Sequence, residues 1–213
     1  MKKILLIAAT IGIGTFSSCI KFEVDPGAVS TVFTFSDDFN NNFNDWNFSD
    51  NVNDAYAVVS NGVLNFSYLQ NGTAQYLAKE LNMNTYKNFE VQTKFASDNT
   101  MGLLIGYDGY TRTYGYTVTI EPNGYVALYD EGGNGYGNNI TEVVPRRYSS
   151  NVNRNGSWNE VTFKQTYNRW IVYINGYEEF SVSSRSIKYG SVGFMITGNT
   201  RGKADYLDVE YRK

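Results

Sequence analysis

The sequence contains no histidine and a single cysteine among its 213 residues. Without histidine, the Ser-His and Cys-His pairs that activate a nucleophile are excluded, and so are histidine-based zinc sites. With one cysteine, an internal disulfide is excluded as well. The chemistry that remains available rests on carboxylates, tyrosines and amides.

Basic charge is also scarce. The chain carries 18 Lys and Arg against 21 Asp and Glu, a net charge of −3. Proteins that bind nucleic acids neutralise phosphates with clustered Lys and Arg, and no such cluster occurs here. The composition therefore argues against a nucleic-acid partner.

The first nineteen residues have the layout of a secretory signal. Two lysines at positions 2 and 3 precede an apolar run over 4–13, which is too short to span a bilayer, and small residues precede Cys19. The cleavage region resembles a bacterial lipoprotein signal, in which Cys19 becomes the first mature residue and is acylated. That resemblance implies export and a lipid anchor in the outer membrane, because several acyl chains hold a protein stably. The alternative is an ordinary cleaved signal with a cysteine nearby.

Behind a signal peptide over residues 1–18, the sequence divides into a tether and one domain. Residues 19–30 contain Pro26 and Gly27, which interrupt regular structure. Residues 31–213 have a length that suits a single all-β domain.

Nearly every segment after residue 31 is typical of a β-strand. Asn61-Gly62, Asn123-Gly124 and Asn175-Gly176 each separate two strand-like runs, and Asn-Gly predicts a two-residue type I′ turn. The only weak helix candidate, 73–81, fits a strand as well. Short strands with turn signals every 8–12 residues predict an antiparallel β-sandwich.

Several segments together resemble one known fold family. They are "SDDFNNNFNDW" (36–46), "MGLLIGYDGY" (101–110), "SWNEVTFKQTYNRWIVYINGYEEF" (157–180) and "YGSVGFMITGNTRGKADYLDVEY" (189–211). They are similar to the strands of concanavalin A-like jelly rolls, a group that includes laminin G-like modules, family 16 glycoside hydrolases and the 3-keto-disaccharide hydrolase domain. The resemblance implies an all-β jelly roll of two curved antiparallel sheets, with a concave face that often holds sugar.

The catalytic motif of family 16 enzymes, E-x-D-x-x-E, is absent. The only E-x-D in the chain, Glu23 to Asp25, lies in the tether and no third carboxylate follows. A glycosidase needs two carboxylates on one cleft. Asp130 and Glu131 form the one acidic pair that could orient sugar hydroxyls or catalyse weakly, and the favoured alternative is that both are plain loop charges. We therefore expect a non-catalytic domain.

The resemblance also implies a structural calcium ion. Asp205 matches the aspartate that opens the last strand and binds calcium in many of these jelly rolls, and Asp37 or Asp38 is expected nearby. Strand alternation places Asp208 and Glu210 on the face opposite Asp205.

Tyrosines supply the candidate ligand contacts. If Asn123-Gly124 is a two-residue turn, one sheet face carries a group of four tyrosines, and further tyrosines lie in glycine-rich loops beside Asp130 and Glu131. The alternative is that the four strand tyrosines line the core. The four are Tyr114, Tyr116, Tyr125 and Tyr129, and those in the loops are Tyr107, Tyr110 and Tyr136.

The sequence thus predicts a cell-envelope lipoprotein whose jelly roll binds an oligo- or polysaccharide and whose membrane contact is the lipidated Cys19. Two alternatives stay open. One is an enzyme of the keto-disaccharide hydrolase type with an unrecognised site, and the other is an adhesion or structural module with a protein partner.

Of the tryptophans, Trp46 is expected to close one end of the sandwich, and Trp158 and Trp170 are expected in the core.

Overall fold

The computed structural model describes residues 31–72, 74–108, 115–132 and 140–213, which form β-strands and contain no helix. The predicted leader, Cys19 and the predicted tether lie outside these residues. No helix long and apolar enough to cross a membrane occurs in the described part of the chain. The strands are β1 (Val32–Asp37), β2 (Phe48–Asp50), β3 (Ala55–Ser60), β4 (Val63–Tyr68), β5 (Ala74–Glu80), β6 (Phe89–Ser97), β7 (Met101–Ile105), β8 (Tyr116–Ile120), β9 (Tyr125–Asp130), β10 (Thr141–Tyr148), β11 (Asn159–Thr166), β12 (Arg169–Ile174), β13 (Tyr177–Ser183), β14 (Ser191–Thr197) and β15 (Thr200–Arg212).

The strands form two antiparallel sheets. The nine-stranded sheet has the order β13-β12-β11-β6-β15-β4-β3-β2, with β1 paired beside β15, and the six-stranded sheet has the order β10-β9-β8-β7-β14-β5. Alternate residues of β6 and β11 are buried, as expected for a sheet with one face on a core. Phe66, Phe163, Leu103 and Phe194 meet between the two sheets with no exposed surface. The predicted all-β antiparallel sandwich is confirmed.

Two of the three Asn-Gly pairs form the predicted turns. Both residues of Asn61-Gly62 have positive φ (54° and 72°), and so do both residues of Asn175-Gly176 (52° and 82°). Each pair connects directly opposed strand ends, as a type I′ turn requires.

The third pair, Asn123-Gly124, forms a different turn. The Gly124 N–H donates to the Glu121 carbonyl at 3.0 Å, only Gly124 of the pair has positive φ (94°), and the strands pair from Ile120 with Val126. Pro122 fixes φ at the first central position of a type I turn, which gives a three-residue loop in place of two. The predicted register of β9 on β8 is therefore wrong by one residue.

The strand β15 contains a β-bulge at Asp205, between Ala204 and Tyr206. A bulge adds one residue and reverses the alternation beyond it. Asp205 therefore bonds to outward-facing Lys94 (2.7 Å), on the same face as Asp208, and the predicted opposition of these two aspartates is wrong.

The two ends of the sandwich differ in what they carry. The first described strand, β1, begins where Val32 pairs with Arg212, and we call this end of the sandwich the proximal end. The distal end contains the turn between β6 and β7, the turn at Pro122 and the start of β15 at Thr200.

Candidate functional site

The outer face of the six-stranded sheet points away from the core and has a floor of mostly small residues. Met101, Leu103 and Ile105 of β7 belong to the core, so the intervening residues of β7 face outward. Strand pairing extends the outward set into two rows, which are Tyr76, Met195, Gly102, Thr119 and Ala127, and then Ala78, Gly193, Leu104, Thr117 and Tyr129.

The sheet curves toward this outer face. Tyr76 lies on edge strand β5, and Glu131 continues β9, because its N–H donates to the Gly115 carbonyl at 2.9 Å. Three strands separate β5 from β9, a distance of about 19 Å in a flat sheet. The Tyr76 hydroxyl nevertheless donates to the Glu131 carboxylate at 2.9 Å. The two side chains can meet only because the outer face is concave.

Two tyrosine rings lie together over the concavity. The rings of Tyr76 and Tyr107 stack with centroids 4.9 Å apart and an interplanar angle of 15°. Burial, and then the negative charge of Glu131, raises the pKa of Tyr76 above its ordinary value. The Tyr76 hydroxyl therefore stays protonated and acts as a donor at every physiological pH.

Glu131 is the carboxylate at the proximal end of the concave face. Burial raises its pKa above the ordinary 4.5, and the neighbouring hydroxyls of Thr117 and Tyr76 oppose that rise. The Thr117 hydroxyl is itself buried and forms no well-aligned hydrogen bond with any other described residue. Together these groups place a carboxyl group beside a buried hydroxyl on the concave face.

Asp130 and Glu131 do not act as a pair, because strand alternation turns them to opposite faces. Asp130 is opposite Tyr116 on the core side, where the Arg185 guanidinium lies 3.9 Å from its carboxylate. The Tyr116 hydroxyl donates to the Ser186 carbonyl, and burial together with the Asp130 charge raises the pKa of Tyr116 to about 12.

The shifted register also separates the predicted group of tyrosines. Tyr116 is buried and its ring packs edge-on against Trp170 at 4.5 Å, so it belongs to the core. Tyr129 is opposite Thr117 and faces outward, as does Tyr125 four residues earlier. The expectation that Tyr116 shares a face with Tyr125 and Tyr129 is wrong, because the turn at Pro122 contains one residue more.

Tyr125 extends the concave face toward the distal end. The Arg146 guanidinium lies 3.7 Å from the centre of the Tyr125 ring and binds Glu121 with two hydrogen bonds, of 2.5 and 2.6 Å. These bonds lower the pKa of Glu121. Since this ion pair is partly exposed, its role is to hold the Tyr125 ring rather than to stabilise the fold.

The predicted calcium ligands are not brought together. The buried Asp37 carboxylate accepts hydrogen bonds from the Trp46 indole N–H (2.6 Å), the Asn44 amide (2.7 Å) and the Phe39 backbone N–H (2.9 Å). Asp205 instead faces outward and pairs with Lys94. The described residues contain no group of three or more Asp, Glu, His or Cys suited to a metal ion.

The third predicted ligand, Asp38, bonds to the backbone and side chain of Asn40 on the surface. Asp37, Asp38 and Asp205 each already bind N–H donors, and Asp37 and Asp205 point to different faces of the sheet. This arrangement does not fit one cation shared by the three. The ligand set that the resemblance implies is therefore not formed by these three residues.

Three predicted contacts, Tyr110, Tyr114 and Tyr136, lie outside the described residues. The sequence did not point to Tyr76, because the segment around it shows no clear hydrophobic periodicity. Only the order of the strands in the sheet brings its side chain within reach of Glu131. Trp46 and Trp170 are fully buried as expected, whereas Trp158 lies at the surface under two lysines.

No protein-family model and no curated protein sequence matches the chain. Several solved structures are similar to it. The endo-β-1,3-glucanase of Pyrococcus furiosus aligns over 90% of this chain and 98% of its own, with a TM-score of 0.54 and 10% identity. The carbohydrate-binding module CBM66 of Bacillus subtilis aligns over 67% and 83%, with a TM-score of 0.51 and 8% identity.

A third structure comes from work on the endo-acting O-glycanases with which human gut bacteria initiate mucin breakdown. It aligns over 84% of this chain and 99% of its own, with a TM-score of 0.52 and 9% identity. Identities this low establish a shared fold and nothing finer. The predicted concanavalin A-like jelly roll is thereby confirmed.

Proposed function

We propose that this chain, which has the concanavalin A-like jelly-roll fold, is a carbohydrate-binding lipoprotein whose site is the concave face of the six-stranded sheet. The observation that carries the proposal is the pair of stacked rings, Tyr76 and Tyr107, beside the Glu131 carboxyl group. Aromatic rings pack against the apolar faces of sugars, and carboxylates and hydroxyls bind sugar hydroxyl groups.

The distribution of side chains along the concave face favours a chain-like ligand. Aromatic and polar side chains lie at both ends, with Glu131 at one and Tyr125 with Arg146 at the other. Between them the floor is formed by Gly102, Gly193 and other mostly small residues. The fold is shared with a glucanase and with a carbohydrate-binding module, and this favours a saccharide as the ligand class.

Binding without cleavage is favoured by the distribution of the carboxylates. A glycosidase places two of them on one cleft at a fixed separation. Asp130 faces the core side, and Glu121 is held by Arg146. A second candidate function is hydrolysis with Glu131 as the general acid, since a raised pKa is what that role requires.

The proposal predicts that Tyr76→Ala and Tyr129→Ala each weaken glycan binding by about tenfold, or about 1.4 kcal/mol, because each removes an aromatic ring that packs against a sugar face. The full chain, purified in detergent, is screened on a glycan array, and affinities for the best glycan are measured by calorimetry. Tyr167→Ala is the matched control, because Tyr167 is 95% exposed in the turn between β11 and β12 of the other sheet.

Two outcomes would contradict the site. One is the absence of binding to every glycan on the array. The other is equal affinity in Tyr76→Ala, Tyr129→Ala and the Tyr167→Ala control.

We further propose that Cys19 carries the lipid that anchors the protein in the outer membrane. In cells fed labelled palmitate, the wild-type chain is expected to incorporate label and to sediment with outer membranes, because its lone cysteine follows an apolar run and small residues. Cys19→Ala is expected to lose all incorporation. Label that persists in this variant would refute the anchor.

A further inference from the structure

A second cleft, of about 550 Å³, lies at the distal end on the outer face of the nine-stranded sheet. It is separate from the concave face, which belongs to the other sheet. We call it the distal cleft. Its lining residues used below are Asn65, Ala96, Asp98, Asn155, Arg201 and Lys203.

Strand register places two basic side chains in this cleft. Arg201 and Lys203 of β15 point outward on either side of Gly202, and Lys203 is opposite both Asn65 on β4 and Ala96 on β6. Ala96 is 4% exposed, so its methyl group forms a closed floor between longer side chains. The cleft is thus fixed by three hydrogen-bonded strands.

The wall of the cleft is a rigid turn. Asn155 and Gly156 both have positive φ (60° and 67°), and the Asn155 N–H donates to the Pro122 carbonyl at 2.8 Å. A Cβ on Gly156 would lie 3.1 Å from the Ser97 carbonyl oxygen, so the turn packs closely on the end of β6. A preformed wall lowers the entropy cost of binding.

Lys203 is a positioned cation with no carboxylate partner among the described residues. Its ammonium lies 4.7 Å from the centre of the Trp158 ring, which fixes its position. Lys94 lies over the same ring at 5.3 Å, but its charge is already paired with Asp205 at 2.7 Å. Across the cleft the Arg201 guanidinium is 3.9 Å from the Asp98 carboxylate and largely exposed.

We propose that the distal cleft is a second saccharide site, and that it binds a sugar residue carrying a carboxylate, such as a uronic acid within an oligosaccharide. Lys203 and Arg201 receive the carboxylate. The Asn155 amide and the side-chain oxygen of Asn65, whose amide nitrogen already donates to Val58 and Ser60, bind hydroxyl groups. With Arg201 and Lys203 positive and Asp98 negative, the lining carries a net charge of +1. This charge suits a ligand with one carboxylate per sugar and disfavours a polysulfated chain. The volume lies in the range of ordinary ligand pockets.

The position of the cleft fits this use. It lies at the end opposite the start of the domain at Val32, so a tethered protein presents it away from its attachment point. The site does not depend on the ligand of the concave face.

The test is calorimetric titration of the full chain, in detergent at low salt, with trigalacturonate, maltotriose and a chondroitin sulfate tetrasaccharide. We expect trigalacturonate to bind, and Lys203→Ala and Arg201→Ala each to weaken it by about tenfold or more, since each removes a charge-assisted bond. Lys203→Arg is expected to retain binding. Lys188→Ala is the matched control, because Lys188 also lies over an aromatic ring but at the proximal end, and its affinity should equal that of the wild type.

The outcomes separate this site from the concave one. Trigalacturonate binding that survives Tyr76→Ala but not Lys203→Ala supports the distal cleft. Three results would overturn the proposal. They are no trigalacturonate binding, equal loss in Lys188→Ala, or tighter binding of the sulfated tetrasaccharide that is lost in Lys203→Ala. Thermal unfolding of each variant confirms that any loss reflects binding rather than folding.

Discussion

Asp37→Ala is expected to destabilise the domain by about 3 kcal/mol, because an unpaired buried donor costs about 1–3 kcal/mol and this change leaves two of them. The donors are the Trp46 indole N–H and the Phe39 backbone N–H, both on residues with no exposed surface. In a domain of this size the unfolding midpoint should fall by about 6–12 °C. Circular dichroism or calorimetry measures it directly.

The cost is large because Asp37 holds a loop closed over the core. Phe39 has a positive φ of 53°, which is strained for a phenylalanine, and the bond to Asp37 offsets that strain. The loop brings Trp46 and Phe39 against Phe194 of the six-stranded sheet, with ring centroids 6.1 and 6.3 Å away. Loss of the carboxylate therefore loosens one contact between the two sheets.

Asp38→Ala is the matched control, since Asp38 is the next residue, carries the same charge and, within the described part of the chain, bonds only to Asn40 on the surface. It should change the free energy of unfolding by no more than about 0.5 kcal/mol. Equal effects of the two substitutions would contradict the role assigned to Asp37. The same melts with calcium or a chelator test the metal: a midpoint that rises with calcium in wild type but not in Asp37→Ala would make Asp37 a ligand after all.

The fold was predictable because its signals are local. The backbone preference of Asn-Gly is enough to determine the turns at Asn61-Gly62 and Asn175-Gly176. In β6 and β11, the alternation of apolar and polar residues matches the burial of one face of each strand. Where one local signal competes with another, prediction failed. At Asn123-Gly124 the preceding Pro122 imposed a type I turn, and the one-residue shift placed Tyr129 on the concave face, opposite to Tyr116, which lies on the core side with Val118.

The candidate site was less predictable, because its members meet only through sheet order. Tyr76 and Glu131 are 55 residues apart, on strands separated by three others. No local pattern reports which edge strand follows β14 or how strongly the sheet curves. The bulge at Asp205 was also not predictable from the local sequence, because it is defined only by the pairing of β15 with β6.

Glu131→Gln is expected to change how stability depends on pH. The pKa of Glu131 is raised in the folded protein above its ordinary value of 4.5, so the folded state binds the proton more tightly than the unfolded state. Stability from this group is present below pH 4.5 and is lost as pH rises from there through the raised pKa. Each unit of displacement corresponds to about 1.4 kcal/mol.

Glutamine keeps an acceptor for the Tyr76 hydroxyl but carries no charge at any pH. The variant should therefore gain stability relative to wild type as pH rises from 4.5 to 8, measured as the difference in unfolding free energy. Glu142→Gln, an exposed residue beside Tyr129 on the same sheet, should follow wild type throughout. A constant difference between Glu131→Gln and wild type across this range would show that the buried carboxyl group does not titrate as inferred.

The same variant separates the two candidate functions of the concave face. If Glu131 only binds, Glu131→Gln retains glycan affinity within a few fold, because its amide still bonds to hydroxyl groups. If Glu131 is a general acid, hydrolysis of a bound glycan by the wild type should fall by about 10²–10⁴-fold in the variant while affinity stays. Asp130→Asn serves as the control for that measurement, since Asp130 faces the core side with Tyr116. Retained affinity with no hydrolysis in either protein is the result expected of a binding domain, and a wild-type activity abolished by Glu131→Gln alone would make the protein an enzyme.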